Sequence, residues 1–130
     1  MTPAELSTWN AAALQSLDSE LPGDQALTSM LLAHGLVQNG GVVHAISVLE
    51  KSGSAEAAQA FRYFGLPQVA ELFEELVLRL EEALSEDEED RLEHTSNRRY
   101  WSAVPDDATL EVLYLRRRRS APYEFMVAPA

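Results

Sequence analysis

The longest run of regularly spaced apolar positions is Val69, Leu72, Phe73, Leu76, Val77, Leu80 and Leu84. At about 100° per residue these share one helical face, and Glu71, Glu75, Glu82, Glu86, Glu89 and Glu93 fall within an arc of about 60° on the opposite side. A helix continuing past Leu84 would carry those six carboxylates as one acidic stripe. Ser85 followed by Glu88 is itself a capping-box pattern, which leaves open a break there and a new helix start.

Helical periodicity recurs along the rest of the chain, and strand signals are nearly absent. Thr2, Pro3 and Glu5 form a helix start, with Leu6, Trp9, Ala13, Leu14 and Leu17 as its apolar face and Pro22-Gly23 as its expected end. Asp24 is the expected cap of the next helix, which places Leu27, Met30, Leu31 and His34 on one side before Asn39, Gly40 and Gly41 stop it. Val42, Val43, Ile46 and Leu49 then read as a further short helix. Ser52-Gly53-Ser54 reads as a break, with Ser54 capping a helix through Ala58, Phe61 and Phe64. Gly65 suits a left-handed helix end and Pro67 a first helical position, so a sharp corner is expected between them. The stretch HTSNRRYWSAVPDD reads as mostly irregular, after which Asp106 or Asp107 caps a last helix through Leu110, Leu113, Tyr114 and Arg117, closed by Pro122. The fold class is all-α, a bundle of about six helices, with 130 residues as one domain spanning 1–130.

Charge changes the picture more than composition does. Twenty-one acidic residues against ten basic ones give a formal net charge of −11. Residues 71–93 hold 11 acids and two arginines, whereas residues 98–119 hold six arginines and three acids. Nucleic acid, itself a polyanion, is not expected as a direct ligand. No apolar run approaches the ~20 residues of a membrane span, and the first residues lack the basic-then-apolar order of a secretory signal. With no cysteine in the chain, disulfides, thiolate nucleophiles and cysteine-ligated zinc are excluded, in keeping with a cytoplasmic location.

Candidate chemistry narrows quickly. His34 and His44 lie ten positions apart across a double glycine, which is not metal-ligand spacing, and each is expected to be a packing residue satisfied by a local hydrogen bond. No Gly-x-Ser-x-Gly elbow is present, and the Asn-Gly-Gly stretch is followed by valines rather than the Lys-Ser/Thr of a phosphate loop. A run such as SEDEED has the composition of a solvated face rather than of an acid–base pair. No catalytic, cofactor-binding or metal-ligating residue is assigned, and the chain is expected not to be an enzyme. Arg116 to Arg119 read as helix termination plus salt bridges to the chain's own acidic helix. The acidic stripe has two readings, a solubilising surface or a docking surface for a basic protein, since a one-signed field steers opposite charge. Its carboxylates would stand about 4.5 to 10.5 Å apart along the axis, comparable with phosphates along a DNA strand. Leu78 lies beside the stripe, where an exposed leucine would suit a partner surface or a homodimer face.

Three stretches carry a family resemblance: LVQNGGVVHA, the Phe64-Gly65-Leu66-Pro67 corner leading into the acidic helix, and RRYWSAVPDDATLEVLYLRRRRSAPYEF. Together they resemble the DNA mimic protein nineteen C-terminal-like family over about residues 27–125, and Asn39, Gly40, Gly41, Gly65, Pro67, Tyr100, Pro105, Asp106 and Asp107 are the structural motif positions. The resemblance implies a compact helical domain with a homodimer as one candidate assembly, no assigned catalytic residue or cofactor, and a family named for a member whose acidic surface imitates duplex DNA to occupy a DNA-binding transcription factor. The expectation for this chain is a protein-binding domain docking a DNA-binding or otherwise basic protein through the stripe. The alternative is a helical interaction or regulatory domain, through a homodimer face or a partner groove, in which the acids serve only solubility.

Overall fold

A computed structural model describes residues 1–127. Its elements are α1 (Pro3–Ala13), α2 (Pro22–Gly40), α3 (Val42–Tyr63), α4 (Pro67–Arg79), α5 (Glu86–Ala103), α6 (Asp107–Ser120) and a 3-10 turn at Pro122–Glu124, with no strand among the described residues. The chain is all-α, as its periodicity requires. The middle helix, α3, packs most extensively against both α2 and α4, while α5 lies against α3 and α4. Phe61 and Phe73 meet at 5.5 Å between ring centroids, Phe61 meets Tyr100 edge-on at 6.2 Å, and all three are fully buried.

Several helix boundaries follow from local chemistry. Thr2 and Glu5 close the expected capping box on α1. Gly65 adopts φ 88°, and the Gly65 and Leu66 amides donate to the Arg62 and Phe61 carbonyls, a Schellman end to α3 that turns the chain into Pro67 at the start of α4. Gly41 joins α2 to α3 at φ 91° as the only residue between them.

Other boundaries differ from those the sequence suggested. Helix α1 stops at Ala13, not at Pro22-Gly23, because Gln15 takes the left-handed position (φ 57°) while the Gln15 and Ser16 amides close on the Ala12 and Ala11 carbonyls. Pro22 instead begins α2, and Gly23 is where the C-terminal segment approaches. A side-chain carbon at Gly23 would lie 2.6 Å from the Phe125 ring and 2.7 Å from the Glu124 carbonyl. Asp24 does not cap α2. It is buried, accepting from the Ser19 hydroxyl (2.7 Å) and the Met126 amide (2.9 Å). The buried face of α1 is Glu5, Thr8 and Ala12 rather than Leu6 and Leu14, which are exposed. That rotation lets Trp9 pack on Tyr114 at 5.5 Å and the Tyr114 hydroxyl donate to the Glu5 carbonyl. The break within α3 falls at Glu50 (φ 61°, ψ −171°) rather than at Ser52 to Ser54. Gly53 is helical and accommodates the Leu49 side chain, and Ser54 is buried instead of capping. The segment HTSNRRYWSA is helical to Ala103, since Leu92, Ser96 and Tyr100 recur every four residues and turn one face inward.

Three of the C-terminal arginines are held by α1 and the C-terminal segment, not by the acidic helices. Arg117 pairs with Glu124 at 2.9 Å and Arg119 with Glu5 at 3.1 Å. Arg118 is buried, donating to the Tyr114 hydroxyl and the Met126 carbonyl. Burial, with a hydrogen bond to Glu124, pushes the Tyr63 hydroxyl up to about 12. Hydrogen bonds from Arg119, then from the Thr2 backbone, hold the Glu5 carboxyl near 2 against an ordinary 4.5. A carboxyl depressed in the folded state contributes stability that is present above pH 4.5 and is lost as pH falls toward 2. Glu5→Gln is therefore expected to flatten the acid limb of the stability profile, read as urea midpoints between about pH 5 and pH 2.5. An unchanged slope would show that Glu5 is not a principal acid-sensitive group.

Candidate acidic docking surface

The six stripe glutamates do not share a helix. Helix α4 ends at Arg79, and Ser85 begins α5 with its side chain accepting from the Glu88 amide while Glu88 reaches back to the Ser85 amide. The local capping box therefore prevails over the apolar period, and the continuous stripe is replaced by two sets of carboxylates with different surroundings.

On α4 and the turn after it, most acids are neutralised by the protein itself. Glu74 takes both guanidinium nitrogens of Arg62 at 2.6 and 2.8 Å, and that contact holds its carboxyl below the ordinary range. Glu75 accepts from Arg99 of α5 at 2.7 Å. Glu81 pairs with Lys51 at 2.9 Å and Glu82 with Arg79 at 3.1 Å. Glu71 is exposed and makes no such pair among the described residues.

Helix α5 presents the opposite case. Glu86, Asp87, Glu88, Glu89, Asp90 and Glu93 occupy its first eight residues, and none of the six makes an ion pair among the described residues. Glu88 is drawn partly inward by its cap bonds, and the other five are exposed. The first half-buried side chain of this helix after Glu88 is Leu92 and the first buried one is Ser96, so its beginning stands out as an acidic limb. Stacking acids at a helix N-terminus is favourable to the dipole, which offsets part of their mutual repulsion. Of the stripe glutamates, Glu86, Glu89 and Glu93 belong to this limb, whereas Glu75 and Glu82 are tied down elsewhere. Asp87 and Asp90 belong to the limb although the stripe omitted them, and the capping box at Ser85 is the sequence signal that could have placed them there.

The motif positions at 39–41 and 100–107 belong to a second, structural constellation, centred on the buried side chains of His34 and Tyr100. Gly41 offers no side chain to cap α3, and Asn97 of α5 supplies one by accepting from the Val42 amide at 2.8 Å. His34 is buried, as expected, but its bonds are not local. Its Nδ1 meets the Tyr100 hydroxyl at 2.6 Å and its Nε2 meets Asp107 at 2.7 Å, with Gln38 also donating to that carboxylate at 3.0 Å. Burial, then the Asp107 charge, raises the Tyr100 hydroxyl above its ordinary value. Asp106 caps α6 by accepting from the Thr109 amide, which frees Asp107 for His34, and Pro105 lies exposed in the connection before it. Asn39 is an exposed residue of the last turn of α2, while His44 packs its ring over Gly40. Among the described residues no group of three or more potential metal-ligating side chains converges, and no helix is long and apolar enough to cross a membrane.

Neither a comparison with curated proteins nor one with solved structures returned a match. A profile of the family described as DMP19-like protein matches residues 18–117, which contain the double glycine, the Gly65 corner, the acidic limb and the His34–Tyr100–Asp107 bridge. The chain belongs to the DMP19-like protein family.

Proposed function

We propose that this is a non-enzymatic protein-binding domain whose α5 limb docks a basic, DNA-binding protein in the manner of a DNA mimic. The observation that carries this reading is the limb itself. Six carboxylates, none of them in an ion pair among the described residues, lie with Arg91 on residues 86–93, about 10.5 Å of helix axis. That is one carboxylate per about 2 Å, beside about 1.7 Å of axis per charge in duplex DNA. The acids of α4 and the turn after it are balanced in part by Arg62, Arg99, Lys51 and Arg79, so the largest unbalanced field comes from α5. Family membership supports the same reading.

The test uses the source organism's own DNA-binding proteins. A basic protein retained by the immobilised chain at low salt is to be identified, then challenged with duplex DNA and with the variant E86Q/E89Q/E93Q. Expected are release near 0.5 M salt, where the screening length falls to a few Å, competition by duplex DNA, and at least a tenfold loss of affinity in the variant. Affinity unchanged by the three glutamines would overturn the limb as the docking element.

A further inference from the structure

Beside the limb, α3 and α4 leave an unfilled groove of ≈ 450 Å³ between them. Its floor is apolar, formed by Val43, Ile46, Val77 and Leu80, and its rim is polar, with Ser47, Glu50, Lys51 and Glu81. We propose that this groove is a docking site for an amphipathic, basic helix of a protein partner, apolar side down. The inference extends the docking reading beyond the limb and takes from it only the basic character of the partner.

Three observations select that occupant. The volume lies within the ordinary range of ligand-receiving pockets, and a trough between two helices admits the ridge of a third, with anchors spaced i, i+3/i+4 and i+7. Added-strand recognition has no sheet edge to use among the described residues. Charge then chooses the partner's polar side. Glu50 makes no ion pair among the described residues, and the limb begins at Glu86, five residues after Glu81 and within about 18 Å of chain. A helix seated on the apolar floor therefore has its flanks against carboxylates on the rim and toward the limb, whereas a second copy of this acidic chain would meet repulsion there.

Two details fit the groove to such a partner. The Lys51–Glu81 pair joins α3 to α4 at the rim through side chains that are 77% and 52% exposed. An exposed pair of this kind contributes little, so an incoming arginine or lysine can take Glu81 from Lys51. Val43, Val77 and Leu80 on the floor are only half-buried, so apolar surface remains there for a partner to cover.

The probe is a synthetic amphipathic helical peptide with leucines on one face and arginines flanking them. A peptide of the same composition with the leucines distributed around the helix is the control. Methyl and amide NMR on the intact chain should show the amphipathic peptide shifting the methyls of Val43, Ile46, Val77 and Leu80, while the control shifts only amides of residues 86–93. Ser47→Trp, which fills the groove from an exposed position, should weaken the amphipathic peptide at least tenfold. Lys51→Glu should tighten it several-fold at low salt. Floor methyls unmoved at saturation, or Ser47→Trp binding as tightly as the unaltered protein, would overturn the groove and leave the limb reading standing. Floor binding unaffected by E86Q/E89Q/E93Q would count against the limb and leave the groove intact. The same methyl shifts on concentrating the protein alone would assign the groove to a second copy and overturn the proposal.

Discussion

Gly41→Ala is expected to destabilise the fold by about 3 kcal/mol, while Gly40→Ala, one residue away, costs less than about 1 kcal/mol. Gly41 holds φ 91° and ψ 177°, a region essentially reserved for glycine, and forcing a side chain into it costs about 1–3 kcal/mol. The added carbon would also stand 2.8 Å from both terminal atoms of the Asn97 amide. Asn97 cannot retreat without giving up the Val42 amide, and losing a cap of that kind costs about 1 kcal/mol. At Gly40 the backbone is helical, and the nearest obstacle is the ring of His44, an exposed side chain free to rotate away. Alanine also gains about 1 kcal/mol of helix propensity over glycine there, which offsets the crowding. Thermal unfolding followed by circular dichroism should show a drop of about 10 °C for the first variant and little change for the second. Equal shifts for both would refute the cross-cap between α5 and α3.

His34→Ala is expected to cost about 3–4 kcal/mol, and up to half of that loss depends on Tyr100. Removing the imidazole opens a cavity at a buried position and leaves the Tyr100 hydroxyl without its partner in a fully buried site. Tyr100→Phe alone orphans only the His34 Nδ1 and should cost about 1–2 kcal/mol. In the His34→Ala background the same change removes an unsatisfied hydroxyl and should be neutral or stabilising, giving a coupling of about 1–2 kcal/mol in a double-mutant cycle. Asp107→Asn should cost less than about 1 kcal/mol, because that carboxylate is 65% exposed and water can replace it. Additive effects of His34→Ala and Tyr100→Phe would mean that the two side chains stabilise the fold separately.

These two experiments bear on why the resemblance to the family could be read from scattered residues. Asn39-Gly40-Gly41 and the Tyr100 to Asp107 segment lie some sixty residues apart in the chain, yet His34 and Gly41 on one side meet Tyr100, Asp107 and Asn97 on the other. These contacts tie four helices together, α2, α3, α5 and α6, which accounts for the motif's diagnostic value. Glu86, Glu89 and Glu93 have few packing contacts and a free field, and it is on them that the proposed function rests.

Signals confined to four or five neighbouring residues were legible without the fold. The Thr2 and Ser85 capping boxes, the left-handed Gly65, the Pro67 start and the Asp106 cap each depend on hydrogen bonds within one turn, so residue type at fixed spacing is enough to specify them. Apolar spacing likewise specified an all-α chain and the inward faces of α2 and α4. The acidic stripe failed for a related reason: periodicity extended a face across Leu80 to Ser85, where a local cap ends one helix and starts another.

What required the tertiary structure was every feature whose partners lie far apart in sequence. Gln15 takes a position usually given to glycine while its side chain bonds to the Thr28 carbonyl. The side of α1 that faces inward was decided by Tyr114 and Arg119, more than a hundred residues away. Above all, only packing separated the charges. Arg62, Arg99 and Lys51 are brought onto acids of α4 and its turn, where Arg79 pairs with Glu82 three residues on, and none of the four makes an ion pair with residues 86–93. Net charge is a property of composition, but the part of it left unpaired for a partner depends on which side chains the fold brings within hydrogen-bonding distance.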